Sequence, residues 1–267
     1  MKLKGRVLII AGSDPSGGAG VQADIKTVTA LGGYAATAIT ALTVQNTAGV
    51  TGVYPTPPDI VLAQIDAVLS DIGADAIKIG MIGDGDAAEQ IAGKLATVAG
   101  AIPIVLDPVL VATSGDVLAG EGVAGVLLKK LTSLCAIVTP NTEEAEALTG
   151  VEIKDEDAMV AAGKALIKCG ARAALITGGH MEGDAVKDVL VTAEGERVFS
   201  NPRIETTSTH GTGCTLASAI AIGLAQDMAL QAAVKRAISY VHKAIRTAPG
   251  YGAGHGPLNH AHTIENS

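Results

Sequence analysis

The sequence predicts an α/β protein with three layers, α/β/α, in which helices cover both faces of a mostly parallel central sheet. Short β-branched segments alternate with longer helical segments along most of the chain, which is typical of strand–helix–strand units. The strand segments are apolar at successive positions, as expected for strands covered on both faces. With 267 residues, 48% of them hydrophobic, we expect a single domain over residues 1–267.

Five continuous apolar segments are the predicted parallel strands, at residues 7–11, 76–79, 104–107, 136–139 and 173–177. Helical spacing of apolar residues separates them, at residues 60–69, 86–98, 123–131, 157–167 and 216–225. A further helix is predicted to begin near Val21, and a short one to follow Asn141. Ligands of such sheets bind beyond the carboxyl ends of the strands, so we expect the functional site there.

Two stretches break this alternation and are predicted to be pairs of strands. The first pair comprises residues 34–43 and 50–54, and the second comprises residues 186–192 and 197–200. The second pair is joined by a polar segment that contains Gly195, which predicts an antiparallel hairpin.

The composition argues against nucleic-acid and membrane partners. Nineteen Lys and Arg against 27 Asp and Glu give a net charge of −8, which repels a phosphate backbone or an anionic membrane surface. Aromatic residues are only 2%, too few for base-stacking platforms. No segment reaches the roughly 18 apolar residues of a membrane-spanning helix, and the first residues do not fit a signal peptide. We therefore expect a cytoplasmic protein.

The glycine-rich segment Gly12-Ser-Asp-Pro-Ser-Gly-Gly-Ala-Gly20 follows the first predicted strand. A phosphate-binding P-loop would need lysine where Gly18 stands, so that motif is excluded. A dinucleotide-binding loop fits poorly, because the GxGxxA match lies late after the strand and no acidic residue follows at the expected distance. A tight glycine connection is the better interpretation of this segment.

A second glycine-rich segment, Thr209-His-Gly-Thr-Gly-Cys-Thr215, precedes a long apolar helix. The free N–H groups and the dipole at a helix start favour a phosphate or a developing negative charge. We therefore predict that Gly211, Thr212, Gly213 and Cys214 form an anion hole, although a glycine-rich helix cap is the simpler alternative. Because the dipole lowers the pKa of a thiol, Cys214 is also a candidate base near neutral pH.

Two acidic residues are predicted to lie at the carboxyl edge of the sheet. Asp107 ends an apolar strand, and Glu144 begins the short helix after Asn141. A carboxylate pair at such an edge can hold Mg²⁺ through water beside nucleotide phosphates. Helix capping is the alternative for acids in a first helical turn, and we prefer it for Glu143.

The residue types at Asp24 and Gln45 do not by themselves indicate a function. Asp24 fits a solvated position on an exposed helix face, and Gln45 fits a turn at the end of a strand.

Together the motifs closely resemble those of the hydroxymethylpyrimidine and phosphomethylpyrimidine kinases of thiamin biosynthesis, a branch of the ribokinase-like superfamily. The resemblance covers nearly the whole chain, and six segments carry most of it: 11–24, 40–47, 78–81, 107–109, 139–141 and 209–215. It also extends to the segment Gly252-Ala-Gly-His-Gly-Pro-Leu-Asn-His260.

The resemblance implies a ribokinase-like fold, a homodimer, and two ATP- and Mg²⁺-dependent phosphorylations of a hydroxymethylpyrimidine in one site. It implies pyrimidine contacts at Gly12, Asp24, Gln45, Met81 and Val109. Matching family positions also imply nucleotide contacts at Asn141 and Thr209, a magnesium and phosphate region at Asp107 and Glu144, and a catalytic anion hole from Gly211 to its base Cys214.

One departure stands out, because many relatives have a phosphate-binding lysine where this chain has Thr177. Two alternatives therefore stay open. Pyridoxine or pyridoxal is a related substrate that also carries a hydroxymethyl group, and a catalytically silent pyrimidine-binding protein would not need the lysine. A nicotinamide-dependent oxidoreductase is a more distant alternative.

Overall fold

A computed structural model describes residues 3–112, 115, 116, 118, 120 and 122–264. One sheet of nine strands runs through this described part in the order β3-β2-β1-β4-β5-β6-β7-β8-β9. The strands are β1 (Arg6–Ser13), β2 (Tyr34–Asn46), β3 (Gly49–Pro55), β4 (Ala76–Ile79), β5 (Ile104–Leu106), β6 (Ile137–Val138), β7 (Ala173–Ile176), β8 (Ala185–Thr192) and β9 (Gly195–Pro202).

The helices are α1 (Gly20–Ala30), α2 (Pro58–Asp71), α3 (Gly85–Val98), α4 (Val123–Val126), α5 (Thr142–Thr149), α6 (Glu156–Lys168), α7 (Thr212–Ala225) and α8 (Leu230–Arg246). The predicted helix at residues 123–131 is α4 followed by a wider π-helical turn over Leu127–Leu131. No helix in the described ranges combines the length and the apolar character that a bilayer crossing requires.

The centre of the sheet is parallel, and its edges are antiparallel. Strands β2, β1, β4, β5, β6 and β7 pair in parallel, whereas β3 pairs antiparallel at one edge and β8 and β9 do so at the other. This arrangement confirms the predicted α/β/α fold and the predicted hairpin.

Two apolar clusters, one on each face of the sheet, hold the three layers together. Leu8 and Ile10 of β1 point into the cluster that includes Ile65 of α2 and Ile91 of α3. Val7 and Ile9 of the same strand point into the cluster that includes Ile220 of α7. Because adjacent side chains of one strand serve opposite faces, the strand is apolar throughout.

Helix α8 was not predicted from the sequence, although its apolar residues recur at helical spacing. Val234, Ala237, Ile238, Val241 and Ile245 lie on one side of this helix, and the first three are buried. The helix packs against α7 where Gly223 faces Ala233; a Cβ on that glycine would lie 2.7 Å from the Ala233 Cβ.

Candidate active site

A cavity of about 580 Å³ opens at the carboxyl ends of the parallel strands. Residues that follow β1, β4, β5, β6 and β7 line it, together with the start of α7 and one side of α8. Because these strands end at one edge of the sheet, the cavity collects short polar segments that are distant in the sequence.

One end of the cavity carries four of the predicted pyrimidine contacts, namely Gly12, Gln45, Met81 and Val109. The Gly12 backbone closely approaches Met81, since a Cβ on Gly12 would lie 2.7 Å from the Met81 sulfur. The hydroxyl of Thr43 lies 3.2 Å from Oε1 of Gln45 and 2.9 Å from the carbonyl oxygen of Ser13. This end therefore combines an apolar wall with an oriented carboxamide, a pattern suited to a small heteroaromatic ring.

The fifth predicted contact, Asp24, does not line the cavity. Its side chain is fully buried, so the interpretation as a solvated residue is wrong, while the predicted contact with a pyrimidine stays a prediction. Asp24 accepts hydrogen bonds from Lys78 Nζ at 3.0 Å and from Ser218 Oγ at 2.7 Å. Both donors belong to the protein, so in this structure the carboxylate links α1 to β4 and α7.

Asp24, Lys78 and Asp107 form what we call the buried charge cluster. Lys78 Nζ lies 3.0 Å from Asp24 Oδ2 and 3.7 Å from Asp107 Oδ2, and all three side chains are almost completely buried. Burial opposes the charge of Lys78, but the charges of Asp24 and Asp107 outweigh this effect, and the pKa of Lys78 is raised. Lys78 is therefore a cation at neutral pH, and it lies beneath the cavity floor.

Asp107 and Glu144 line the cavity together, as predicted. Burial and, after it, the nearby charge of Asp107 raise the pKa of Glu144 to about 8. Asp107 Oδ2 is buried and accepts no hydrogen bond from the described residues. Mg²⁺ usually takes one or two carboxylates and keeps several waters, so this pair fits the ion that the sequence predicts.

Glu144 also caps the helix that presents it. Its Oε2 accepts a hydrogen bond from the backbone N–H of Asn141, and the Asn141 side chain accepts one from the backbone N–H of Glu144, which makes a capping box. The capping role considered for Glu143 therefore belongs to Glu144, while Glu143 is exposed in the first turn.

The predicted anion hole stands at the start of α7. Gly211 is the N-cap residue with φ of +82°, and a Cβ at this position would collide with the carbonyl oxygen of Gly18. Thr212, Gly213 and Cys214 form the first turn and line the cavity beside Asp107. The first N–H groups of a helix have no partner within the helix, so this turn can bind an anion.

Cys214 lies where it was predicted, but its pKa is not lowered. Burial raises the pKa of the thiol; the charge of Lys78 counteracts this effect, and those of Asp107 and Asp24 add to it. Cys214 lines the cavity together with Gly20 and Asp107. Burial has the largest effect on the pKa of this thiol, so Cys214 is neutral at neutral pH.

The predicted nucleotide contacts Asn141 and Thr209 also line the cavity, and so does Thr177. Asp188 is part of the lining, and burial raises its pKa to about 6 although the N–H of Gly178 donates to it. Arg203 lines the cavity too, and its guanidinium donates to the backbone oxygens of residues 179, 181 and 183. Arg203 thus orders the turn that follows Thr177.

Residues 14–259 match the phosphomethylpyrimidine kinase family. The chain belongs to this family. It is 45% identical over 260 residues to the hydroxymethylpyrimidine/phosphomethylpyrimidine kinase of Rhizobium meliloti, covering 96% of both chains. It is 48% identical over 258 residues to the bifunctional thiamine biosynthesis protein ThiED of Geobacter sulfurreducens, covering 96% of this chain and 52% of that protein.

Solved structures of kinases share the fold of this family member. The phosphomethylpyrimidine kinase of Clostridium difficile superposes with a TM-score of 0.81 at 38% identity, covering 91% of this chain and 100% of that one. Pyridoxal kinase of Staphylococcus aureus in complex with AMP-PCP and pyridoxal gives a TM-score of 0.89 at 30% identity, covering 99% and 96%. The ribokinase-like fold expected from the sequence is confirmed.

Sequence reasoning assigned no role to three polar residues at this family site. Lys78 stands alone between Ile77 and Ile79 in a buried strand, and an isolated lysine in an apolar segment was an available signal. Asp188 and Arg203 follow no recognisable motif, since only the folded chain brings β8 and the segment after β9 to the cavity.

Proposed function

We propose that this protein transfers the γ-phosphoryl group of ATP to the hydroxymethyl oxygen of 4-amino-5-hydroxymethyl-2-methylpyrimidine, and then phosphorylates the monophosphate to the diphosphate. The observation that carries the proposal is the shared cavity, in which the anion hole, the carboxylate pair and the apolar wall with Gln45 face one another. Relatives that carry the names of both kinase activities support it.

Gln45 would orient the aminopyrimidine ring. Its Oε1 lies within hydrogen-bonding distance of Thr43, so its NH₂ group remains to donate to a ring nitrogen. Met81 and Val109 would cover the faces of the ring and exclude water. Because Asp24 does not line the cavity, Gln45 would make most of the polar contacts with the ring.

In the first transfer the hydroxymethyl oxygen attacks the terminal phosphorus and must lose its proton. Cys214 Sγ would accept this proton while its own thiol proton passes to the carboxylate of Asp107, which lines the cavity beside the same helical turn. The N–H groups at the start of α7 stabilise the negative charge on the transferring group. Mg²⁺, held by Asp107 and Glu144 mainly through water, would neutralise charge on the phosphates.

In the second transfer the acceptor is a phosphate oxygen that is already anionic. It needs position and charge neutralisation more than a base. The anion hole and the carboxylate pair serve both steps, whereas proton acceptance by Cys214 matters only for the first. One cavity can therefore catalyse two different transfers.

Pyridoxal or pyridoxine phosphorylation is the second candidate function. It is favoured by the likeness to pyridoxal kinases, with TM-scores of 0.89 and 0.90 against solved structures from two organisms. These structures hold ADP, and others hold AMP-PCP, which supports ATP as the phosphoryl donor here.

The test is an assay of the purified protein with ATP and Mg²⁺ on three separate substrates: hydroxymethylpyrimidine, its monophosphate and pyridoxine. Chromatography resolves the products. Monophosphate and diphosphate formation would support the proposal, and exclusive phosphorylation of pyridoxine would favour the second candidate. Binding of the pyrimidine without turnover would favour the silent binding protein.

We also propose that the kinase is a homodimer that uses the edge of the sheet at β2 and β3. Leu42, Val44 and Tyr54 are more than half exposed there, which is unusual for a cluster of large apolar side chains. Light scattering after size exclusion would test this proposal. A monomer mass at assay concentrations would contradict it.

A further inference from the structure

The protein encloses the ammonium group of Lys78 on all sides, which fixes its position. The side chain has no exposed surface, and its Nζ would lie 2.7 Å from a Cβ at Gly80. A larger residue at position 80 would therefore displace the ammonium group. A fully buried lysine is rare in proteins and needs paired, hydrogen-bonded surroundings.

Those surroundings fix the Lys78 ammonium from the side away from the cavity. Ser218 of α7 donates to Asp24 Oδ1, and Lys78 donates to Asp24 Oδ2, so both carboxylate oxygens of Asp24 are occupied. Asp24 is thus a rigid acceptor that holds Lys78 in place. It has no contact with the cavity through which it could act on a ligand directly.

The cavity side of Lys78 faces Asp107. Asp107 Oδ2 lies 3.7 Å from the ammonium nitrogen and accepts no hydrogen bond from the described residues. The positive charge of Lys78 is therefore the main electrostatic interaction that holds this oxygen in place. Asp107 in turn lines the cavity beside Gly213 and Cys214, which belong to the anion hole.

We propose that Lys78 is a positioning residue for phosphoryl transfer, whose buried ammonium holds the Asp107 carboxylate at the cavity floor and balances its charge. The inference rests on the proposed function and adds a residue to it. Lys78 does not line the cavity, so it acts through Asp107 and not on the substrate. The positive charge of Lys78 behind the Asp107 carboxylate reduces the repulsion between the cavity floor and the phosphates of ATP and of the pyrimidine monophosphate.

Two variants separate this role from a purely structural one. Lys78→Met leaves two buried carboxylates without a cation, so its melting temperature should fall sharply. Because unfolding would also abolish activity, this variant is measured together with a second one. In Asp24→Asn/Lys78→Met the cluster carries one carboxylate and no cation, which is the same formal net charge as in the wild-type cluster. The double variant should therefore regain most of the lost thermal stability.

The double variant should nevertheless remain impaired in catalysis and in the binding of Mg²⁺ with ADP. We expect kcat for the first transfer to fall about 10- to 100-fold, with the KM for the pyrimidine nearly unchanged, because an outer partner of a ligand-holding carboxylate is missing. Calorimetry should also show weaker binding of Mg²⁺ with ADP, and its crystal structure should show Asp107 displaced. Wild-type kcat and wild-type Mg²⁺–ADP affinity in the folded double variant would overturn the proposal.

The binding measurement also separates this inference from the proposed function. If the wild-type protein phosphorylates none of the three substrates, the proposed function fails, but Mg²⁺–ADP affinity still reports on Lys78. Equal affinity in the wild type and the double variant would then overturn the positioning role, and weaker affinity in the variant would support it.

Discussion

The imidazole Nε2 of His210 lies 2.8 Å from a carboxylate oxygen of Asp14, and both side chains are buried. Asp14 belongs to the loop between β1 and α1, where it also accepts hydrogen bonds from the backbone N–H groups of Ser16 and Ala19. His210 immediately precedes the anion hole. The pair therefore joins the two glycine-rich segments of the sequence into one structure at the cavity.

His210→Ala should destabilise the contact between the loop after β1 and the segment before α7. The substitution leaves Asp14 buried without its imidazole partner, which should cost about 2 kcal/mol of unfolding free energy. Because Gly211 is adjacent, kcat should fall as well. Urea unfolding and steady-state kinetics measure the two effects. Ser16→Ala removes a single hydroxyl donor to the same carboxylate and is the matched control, with a smaller loss expected. Equal losses in both variants would argue against the special role of the pair.

Cys214→Ala should slow the first phosphorylation more than the second. The hydroxymethyl group has a proton to lose and the phosphate acceptor does not, so we expect a loss of about 100-fold in the first step and a much smaller one in the second. Separate assays with the hydroxymethylpyrimidine and with its monophosphate measure the two rates. Cys169→Ala is the control, because Cys169 is exposed and lies outside the cavity. Equal losses in both steps would count against a base.

Gly211→Ala should destabilise the protein far more than Gly213→Ala. At Gly211 the φ of +82° disfavours any side chain, and a Cβ would meet the carbonyl oxygen of Gly18. At Gly213 the nearest atom to a Cβ is Asp107 Oδ1 at 3.5 Å, an ordinary contact. We expect a loss of about 1–3 kcal/mol for Gly211→Ala, measured by urea unfolding. Similar stability of the two variants would show that the close approach of Gly18 is unimportant.

Glu144→Gln should stabilise the metal-free protein at alkaline pH while weakening its use of Mg²⁺. Burial raises the pKa of Glu144 from the ordinary 4.5 to about 8, so the unfolded chain ionises first and stability falls as pH rises between these values. Glutamine removes this penalty and can still make the capping box. The gain in melting temperature should be near zero at pH 4 and largest above pH 8.

Glu143→Gln is the control for this substitution, because Glu143 is exposed in the same helical turn. It should change the pH dependence of the melting temperature only slightly, because the charge of Glu143 makes the smallest contribution to the raised pKa of Glu144. If Glu144→Gln gave the same small change at every pH, Glu144 would be an ordinary solvated acid. The Mg²⁺ concentration for half-maximal activity should rise in Glu144→Gln alone.

The fold was predictable because a buried parallel strand is apolar at every position. The segment at residues 76–79 matches β4 at both ends, and β7 begins at Ala173 as expected. The start of α7 at Gly211 and Thr212 was predictable for a similar local reason, since a glycine-rich segment before an apolar segment indicates a helix start with free N–H groups, and its role as an anion hole stays a prediction. In both cases the signal lies within a few consecutive residues.

The errors concern residues whose environment depends on distant parts of the chain. Asp24 fits an exposed helix position until α7 brings Ser218 against it, 194 residues away in sequence. The raised pKa of Cys214 follows from its burial and from the charges of Asp107 and Asp24, which together outweigh the opposing charge of Lys78. Such tertiary effects have no signature in a single sequence, and they decide the chemistry of the site.

The central claim is that one cavity performs two successive phosphorylations. The most direct measurement is a ³¹P NMR time course with hydroxymethylpyrimidine, excess ATP and Mg²⁺ in one tube. We expect a monophosphate ester resonance that rises first and then declines as the two coupled resonances of a pyrimidine diphosphate appear. A monophosphate that accumulates to completion, or the absence of any pyrimidine phosphate resonance, would contradict the account.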